Sequence, residues 1–370
     1  MKITYVFIGG RKENFINSTI EAFDFYYGIQ MFSKKKAIIE ILEFSERNSY
    51  FYKFFYKVEY YASKLLSLPI NFFKLTSFKN FRTLFNSDQI ILVSETTGLA
   101  ALPMLFVIKL FRNPSVSLFV MGLFSKKINY SSLEFLHKLF IKMLILPIDN
   151  LFFLGKGELN LAKKNKVKKT NYYFLPFCID TKFWDSPKIQ NIEKNQILFV
   201  GNDGNRDYVL LKKIAQELQH YNFIFVTSRI NEEDLNLKNV QILNGNWGSD
   251  LLTDSQLRQI YAESLFTIIP LKENTQPSGQ SVALQSMCSG TPVMMSSTDG
   301  FWDKDLFEHN EDIFFIYDNS YKEWIIQIER LYNDDKLINK LSLNGKKKVD
   351  DNYNLEQLKQ YLTNYLSYEI

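Results

Sequence analysis

A chain of 370 residues is longer than one ordinary core supports and points to two domains. Apolar residues make up 46% and charged residues 23%, which excludes a disordered chain and predicts a globular one. The net charge of +4 conceals an asymmetry: residues 1–190 hold 27 Lys/Arg against 14 Asp/Glu, residues 191–370 hold 17 against 26, and the halves, at +13 and −9, face different partners.

Met1–Gly10 has too short an apolar run for a signal peptide and reads as a first strand. From there, short apolar or β-rich runs alternate with helical segments: Ile3–Ile8, Ala37–Leu42, Gln89–Val93, Ser115–Val120, Asn150–Leu154 and Tyr172–Leu175. Beyond Pro187 the pattern restarts with Gln196–Val200, Asn222–Val226, Val240–Leu243, Leu265–Ile269, Val293–Ser296 and Ile313–Ile316. That alternation predicts an α/β protein of two doubly wound parallel sheets joined by the polar stretch Asp185–Asn195. The expected domains are 1–187, 188–352 and a terminal helix, 353–370, with Leu355, Leu358, Leu362 and Leu366 at helical spacing, packing back on the first domain. The longest apolar runs, Leu99–Leu110 and Phe140–Leu154, are interrupted by prolines and charges and do not read as membrane spans.

Two facing sheets of this kind, with a cleft between them, place ligands at the carboxyl ends of their strands. Four loops fall there: Gly9-Gly10, Ser94–Gly98, Gly201–Arg206, and the loop that opens the helix at Ser278. Ser278, Gly279, Gln280 and Ser281 offer backbone N–H groups and hydroxyls at a positive helix end, Val282, Leu284 and Met287 bury the helix's other side, and Gly290 and Pro292 end it. Gln285, farther along, reaches a group attached to a bound phosphate, such as a ribose hydroxyl. Taken alone, Ser-Gly-Gln is also an ordinary capped helix start, and Arg206 is also a surface arginine paired with Asp203 or Asp207.

Phe174–Trp184, with its Leu-Pro and Asp-Thr-Lys-Phe, and Ile197–Asp207, a strand with a glycine loop ending in a basic residue, together resemble the GT-B glycosyltransferases of the retaining, group 1 kind. The resemblance is densest from about Leu151 to Phe315 and implies GT-B architecture, two Rossmann-like domains with a cleft between them. It implies a donor site for a nucleoside-diphosphate sugar formed by Gly10, Asn202, Arg206, Ser278, Gly279, Gln280, Ser281 and Gln285, with no separate cofactor. Arg206 matches the basic residue that the family sets on the donor diphosphate, where a cation offsets the leaving group's growing charge. The family's loop usually carries two glutamates eight residues apart; here Pro277 and Gln285 take those positions, in a Pro-Ser-Gly-Gln variant. The histidine usual after the fourth strand has no counterpart in Phe119–Gly122. Glu95, ending an apolar strand, is the catalytic candidate on the acceptor side, and is also readable as a helix N-terminal charge. Ser228, Asn246 and Trp247 fall where related enzymes wrap the base, although Trp247 reads equally as a core or lid residue.

Asp303-Lys-Asp305 has the form of the metal-and-diphosphate motif of the other glycosyltransferase fold, but Gly300-Phe-Trp precedes it in place of a strand. Cys178 and Cys288 lie far apart, and none of His137, His220 and His309 has a partner at ligand spacing, so no metal site and a reduced, cytoplasmic setting are expected.

Between Tyr50 and Phe85, aromatic residues interleave with Lys53, Lys57, Lys64, Lys74, Lys79 and Arg82. The pattern suits peripheral association with the inner face of an anionic membrane and a lipid-linked or glycan acceptor; a Lys/Phe-rich coding bias is the competing reading, and no nucleic-acid motif accompanies it. Lys163–Lys169 reads as a solvated loop. The expected activity is sugar transfer with retention, in cell-surface polysaccharide synthesis. Two alternatives are a nucleotide-sugar 2-epimerase, which needs converging acid and base groups not evident here, and a non-catalytic nucleotide-sugar binder.

Overall fold

The computed structural model describes residues 1–33, 37–126, 128, 130–164, 169–185, 194–231, 235, 237–245 and 252–366. Two compact units emerge. The first comprises Met1–Ile20, Phe25–Leu175 and Lys359–Ile370; the second comprises Glu21–Asp24 and Pro176–Leu358. Residues 176–185 therefore belong to the second unit, and the terminal helix belongs to the first from Lys359 onward. Most of the expected linker, residues 186–193, lies outside the described residues, as do Lys166 and Lys168 of the expected loop.

In the first unit six strands, β1 (Lys2–Phe7), β2 (Ile38–Glu43), β3 (Gln89–Leu92), β4 (Ser115–Val120), β5 (Asn150–Phe153) and β6 (Asn171–Phe174), form a parallel sheet in the order β2-β1-β3-β4-β5-β6. The second sheet, β7 (Gln196–Val200), β8 (Asn222–Val226), β9 (Val240–Leu243), β10 (Phe266–Ile269), β11 (Val293–Ser296) and β12 (Phe314–Ile316), is also parallel, in the order β12-β11-β10-β7-β8-β9. β3, β5, β10 and β11 are buried along their whole length, as interior parallel strands covered on both faces must be, which is why they are continuous apolar runs. The edge strand β9 is half-buried throughout apart from its exposed Gln241.

The helices are α1 (Lys12–Asn17), α2 (Ile29–Ser33), α3 (Tyr50–Leu66), α4 (Phe72–Leu75), α5 (Phe78–Phe85), α6 (Glu95–Phe111), α7 (Glu134–Ile145) and α8 (Lys156–Lys163) in the first half. They continue as α9 (Thr181–Trp184), α10 (Tyr208–Glu217), α11 (Asp254–Glu263), α12 (Gln280–Cys288), α13 (Tyr321–Tyr332), α14 (Asp335–Asn352) and α15 (Leu355–Leu366). Along α15, Leu358, Leu362 and Leu366 are buried, and within the first unit Tyr365 stacks on Tyr173 with ring centroids 4.2 Å apart.

The strand order reverses at one place in each sheet, between β1 and β3 and between β7 and β10. The loops that leave adjacent strands at such a point diverge to opposite faces and open a crevice, the usual ligand position in open α/β sheets. In the first unit those loops carry Gly9-Gly10 and Ser94-Glu95; in the second they carry Gly201–Arg206 and Pro270–Gly279.

Candidate functional site

In the second unit the two crevice loops are laced together. Asp207 N–H donates to Pro270 O at 2.9 Å, Lys272 N–H donates to Asn205 O at 2.9 Å, and Arg206 and Leu271 form an antiparallel bridge. Asn205 Nδ2 donates to Ser278 Oγ at 2.8 Å, and Asn274 Nδ2 donates to Asn205 Oδ1 at 2.9 Å. The result is a fixed seat for Arg206, which is 2% exposed. Its guanidinium lies against two glycines: a Cβ on Gly201 would sit 2.5 Å from Arg206 Nε, and one on Gly279 would sit 3.3 Å from Nη1. Nη1 is 3.1 Å from Asp203 Oδ2, an ion pair, but neither Nε nor Nη1 has a hydrogen-bond partner among the described residues. Buried guanidinium donors without acceptors are costly, by about 1–3 kcal/mol each.

Gly279, beside that guanidinium, is the N-cap of α12 and takes φ +78°, a left-handed conformation disfavoured for any residue with a Cβ. The helix starts with no side-chain cap, so its positive end is presented toward the arginine's surroundings. Ser281 is half-exposed in the first turn, whereas Ser278 and Gln280 are buried. The expectation of one buried side needs correcting: Ala283, Gln285, Ser286 and Cys288 are buried along with Val282, Leu284 and Met287. Small side chains let α11, α14 and the sheet close on the helix from several directions.

Gln285 is 1% exposed and already engaged. Its Nε2 donates to Asp24 Oδ2 at 2.8 Å, and its Oε1 accepts from the Tyr261 hydroxyl at 3.5 Å. A ribose contact would require it to exchange these partners. Asp24, which sequence reasoning missed, also accepts from Trp184 Nε1 at 2.7 Å and Asp180 N at 2.6 Å. Burial pushes its carboxyl up to about 7, against the pull of these three donors. No motif surrounds Asp24; a lone acid among aromatic residues, Phe23-Asp24-Phe25, is the one signal it leaves.

Asn202 braces the loops. Its Oδ1 accepts from Ser228 N at 2.7 Å, Ser228 Oγ at 3.1 Å and Thr227 Oγ1 at 3.1 Å, and its Nδ2 donates to Gly245 O. Ser228 is thereby held at the end of β8, while Asn246 and Trp247 lie outside the described residues.

In the first unit Gly10 turns the chain after β1 at φ +73°. The N–H groups that follow are taken by Glu43 Oε1, which accepts from Arg11 N at 2.6 Å and Lys12 N at 2.9 Å. Glu95 opens α6 after β3, behind a capping box between Ser94 and Thr97. Only 6% exposed, its carboxylate faces the turn after β4: Oε2 accepts from Met121 N at 3.2 Å and Oε1 lies 3.5 Å from Lys126 Nζ. Glu158, also missed from sequence, holds the same turn through Gly122 N and Phe124 N, both at 2.9 Å. Burial, reinforced by the nearby charge of Glu95, pushes the Glu158 carboxyl up to about 8. As placed, Glu95 is bound to a backbone turn, and Glu158 is the second acid supporting it.

Asp303 is buried and Asp305 exposed, both in a turn and not at the end of a strand. Among the described residues no group of three His, Cys, Asp or Glu side chains could hold a metal ion.

The second unit is thus a switch-point α/β unit whose crevice loops hold a buried arginine beside a helix N-terminus. No protein-family model and no curated protein matches the sequence. Solved structures do. The chain is similar to a sucrose-phosphate synthase from Thermosynechococcus elongatus, with 12% identity and TM-score 0.71 over 99% of this chain and 98% of that one. It is equally similar to Anabaena HepE in complex with UDP-glucose, with 12% identity and TM-score 0.71 over 99% of each. A glycosyltransferase from Rickettsia africae follows at 13% identity and TM-score 0.63, over 99% of this chain and 98% of that one. The chain has the GT-B fold, two Rossmann-like parallel-sheet domains.

Proposed function

We propose that this protein is a glycosyltransferase that moves a sugar from a nucleoside diphosphate to a hydroxyl of a glycan or lipid-linked acceptor, with retention, in cell-surface polysaccharide synthesis. The observation that carries the reading is the buried Arg206 guanidinium, with Nε and Nη1 lacking hydrogen-bond partners among the described residues, beside the start of α12. In this reading the donor's diphosphate fills that seat, with Ser281 and the backbone of Ser278–Gln280 beside it, while Asn202 keeps the loop ends of β7, β8 and β9 in register. Gln285 in this reading holds Asp24, and it meets the donor ribose only by releasing Asp24 and Tyr261.

The reaction breaks the bond from the anomeric carbon to the diphosphate oxygen and forms one to the acceptor oxygen. The acceptor's hydroxyl proton passes to the departing diphosphate. Arg206 offsets the charge that grows on that diphosphate as the bond lengthens. Glu95 acts on the acceptor side as a positioning residue, through the turn it holds after β4. HepE is bound to UDP-glucose, which makes UDP the first nucleotide to test on this chain.

An anionic membrane surface fits the outward faces of α3 and α7. Phe51, Phe54 and Tyr61 are exposed among Lys53, Lys57 and Lys64, and on α7 Phe135 is 75% exposed next to Lys138. α3 and α7 pack together, with His137 Nδ1 2.5 Å from Leu66 O at the end of α3. Aromatic rings at headgroup depth with lysines against anionic lipid suit a peripheral mode, and no helix among the described residues is long and apolar enough to cross a membrane.

The deciding experiment is calorimetric titration with UDP, GDP, ADP and dTDP, repeated on Arg206→Ala. Selective binding of one nucleotide, weakened by about 1.5–3 kcal/mol in the variant, is expected for a charge-assisted contact. Binding of none refutes the donor site. Slow release of nucleoside diphosphate from the matching sugar donor without acceptor separates a transferase from a mere binder.

A further inference from the structure

The inward face of α3 carries Tyr52, Tyr56, Glu59, Ser63 and Leu66 at spacings of three and four residues. Between this face and α4 lies a cavity of about 510 Å³, lined by Glu46, Lys53, Tyr56, Glu59, Tyr60 and Lys74 among others. That volume falls within the roughly 300–1,000 Å³ typical of small-molecule sites. The cavity stands beside the carboxyl edge of the first sheet, because the chain leaving β2 is tied to α4 by Ser45 N–H donating to Lys74 O at 2.9 Å. Ligands of open α/β sheets gather at that edge.

Glu59 is the unusual group. It is only 6% exposed, and Oε1 accepts from Phe73 N at 3.0 Å, which caps the short helix α4. Oε2 has no hydrogen-bond partner among the described residues. The cap therefore explains one oxygen and leaves the other, a buried acceptor on a residue that lines the cavity. Lys74, a cation on the same wall, is held by Glu46 at 2.9 Å.

The lining selects the ligand's charge. A metal ion or ammonium group would face Lys53 and Lys74, and a phosphate or carboxylate would face Glu46 and Glu59. A neutral molecule rich in hydroxyls meets neither objection. A carboxylate oxygen accepts a hydroxyl in a short, charge-assisted hydrogen bond, and the rings of Tyr56 and Tyr60 offer apolar faces for the C–H side of a sugar ring.

We propose that this cavity binds a neutral sugar residue of the acceptor, with Glu59 Oε2 accepting one of its hydroxyls and Tyr60 packing on its ring. The proposal rests on the glycosyltransferase reading for the word acceptor; the cavity and its orphaned oxygen stand independently of the donor site.

The test is saturation-transfer NMR on the full chain with the methyl glycosides of glucose, galactose, mannose, rhamnose and N-acetylglucosamine, with methyl glucuronide and inorganic phosphate as charged controls. At least one neutral glycoside should show saturation, stronger than both controls. Glu59→Gln keeps an oxygen for Phe73 N and replaces the orphan acceptor by a donor, so binding of that glycoside should weaken about tenfold or more. Tyr60→Ala, which leaves the cap intact, should weaken it as well. No saturation by any neutral glycoside overturns the proposal, as does saturation that survives both substitutions. UDP affinity measured on the same samples separates the two readings. UDP bound without any glycoside removes the sugar subsite alone; a glycoside bound through Glu59 without UDP removes the donor site alone.

Discussion

Gln285 donates its side-chain amide to Asp24 at 2.8 Å although 261 residues separate the two in the chain. Asp24 belongs to the second unit with Gln285, Trp184 and Asp180, so a four-residue piece of the early chain is built into that unit's core. Asp24→Ala removes the acceptor from three buried donors. The expected loss is about 2–4 kcal/mol of stability, since each orphaned donor costs about 1–3 kcal/mol and partial relaxation recovers some of it. Urea unfolding followed by tryptophan fluorescence reads it directly, and a loss below about 1 kcal/mol would show that these hydrogen bonds are not cooperative.

The same carboxyl shapes the pH response. Asp24, raised to about 7, and Glu158, raised to about 8, hold their protons in the folded chain well above the free values of about 3.9 and 4.3. Between about pH 4 and pH 7 the unfolded chain has released both protons while the folded chain still binds them, so stability is greatest below that window and falls as pH rises through it. The unfolding free energy from urea titration should drop from pH 5 to pH 7 by on the order of 1 kcal/mol per pH unit for each group. Asp24→Asn should flatten the slope up to about pH 7, and Glu158→Gln should remove the share that continues to about pH 8. Identical slopes in wild type and both variants would mean that neither acid is protonated in the fold.

Gly201 makes room for Arg206. A methyl group there would come within 2.5 Å of Arg206 Nε, and a buried guanidinium has no free direction in which to retreat. Gly201→Ala is therefore expected to weaken nucleotide binding about as much as Arg206→Ala, by roughly 1.5–3 kcal/mol, while the protein still folds. Gly279→Ala should be worse for stability, because it combines φ +78° with contacts of 2.9 Å to Ile269 Cγ2 and 3.0 Å to Met295 Cε. Calorimetry with the tight-binding nucleotide, alongside thermal melts, distinguishes the two. Undiminished affinity in Gly201→Ala would detach Arg206 from the donor.

The twelve strands of the described residues were legible in the sequence, the interior ones because strands covered on both faces are near-continuous apolar runs. The loops at Gly201–Arg206 and Ser278-Gly279 were legible for a related reason: each is a break after such a run, and local chain order alone puts it at a strand's carboxyl end. The supporting acids were not. Asp24 meets Trp184 and Gln285 only through long-range packing, and nothing local to Glu158 sets it apart from any other polar residue of a short helix. The partners of Gln285 were hidden for the same reason, since a glutamine in a helix gives no sign of whether it meets a ligand or a distant side chain. The burial of α12 on all sides was hidden by its serines and glutamines, which read as a solvated face until their partners are known.

Glu95 and Glu158 hold one turn from two sides, and they should be separable by kinetics. Glu95→Gln keeps an acceptor for Met121 N but loses the charge opposite Lys126. Acceptor-dependent turnover is expected to fall by about tenfold, of the size of one charge-assisted hydrogen bond, with nucleotide affinity unchanged. Equal loss of both would place Glu95 in the general stability of the fold, and a loss of kcat with an unchanged acceptor KM that also shifts the pH–rate profile would return it to the chemistry itself.

The outward face of α3 is the remaining test of where the protein works. Phe54 is 64% exposed and Phe51 and Tyr61 are comparably open, which is a poor arrangement for a surface that meets only water. If these rings enter the headgroup layer, sedimentation with vesicles containing phosphatidylserine or phosphatidylglycerol should capture the protein at low salt, and binding should decline as salt screens the lysines over a Debye length of about 8–10 Å. Replacing Phe51, Phe54 and Tyr61 by serine should abolish capture that survives moderate salt, because the apolar contribution is not screened. Replacing Lys53, Lys57 and Lys64 by glutamine should instead abolish the preference for anionic over zwitterionic vesicles, by about 1 kcal/mol per lysine near the surface. Neither set touches the loops around Arg206, so nucleotide binding should persist in both. A protein that stays in the supernatant with anionic vesicles at low salt would assign the exposed rings to something other than a bilayer.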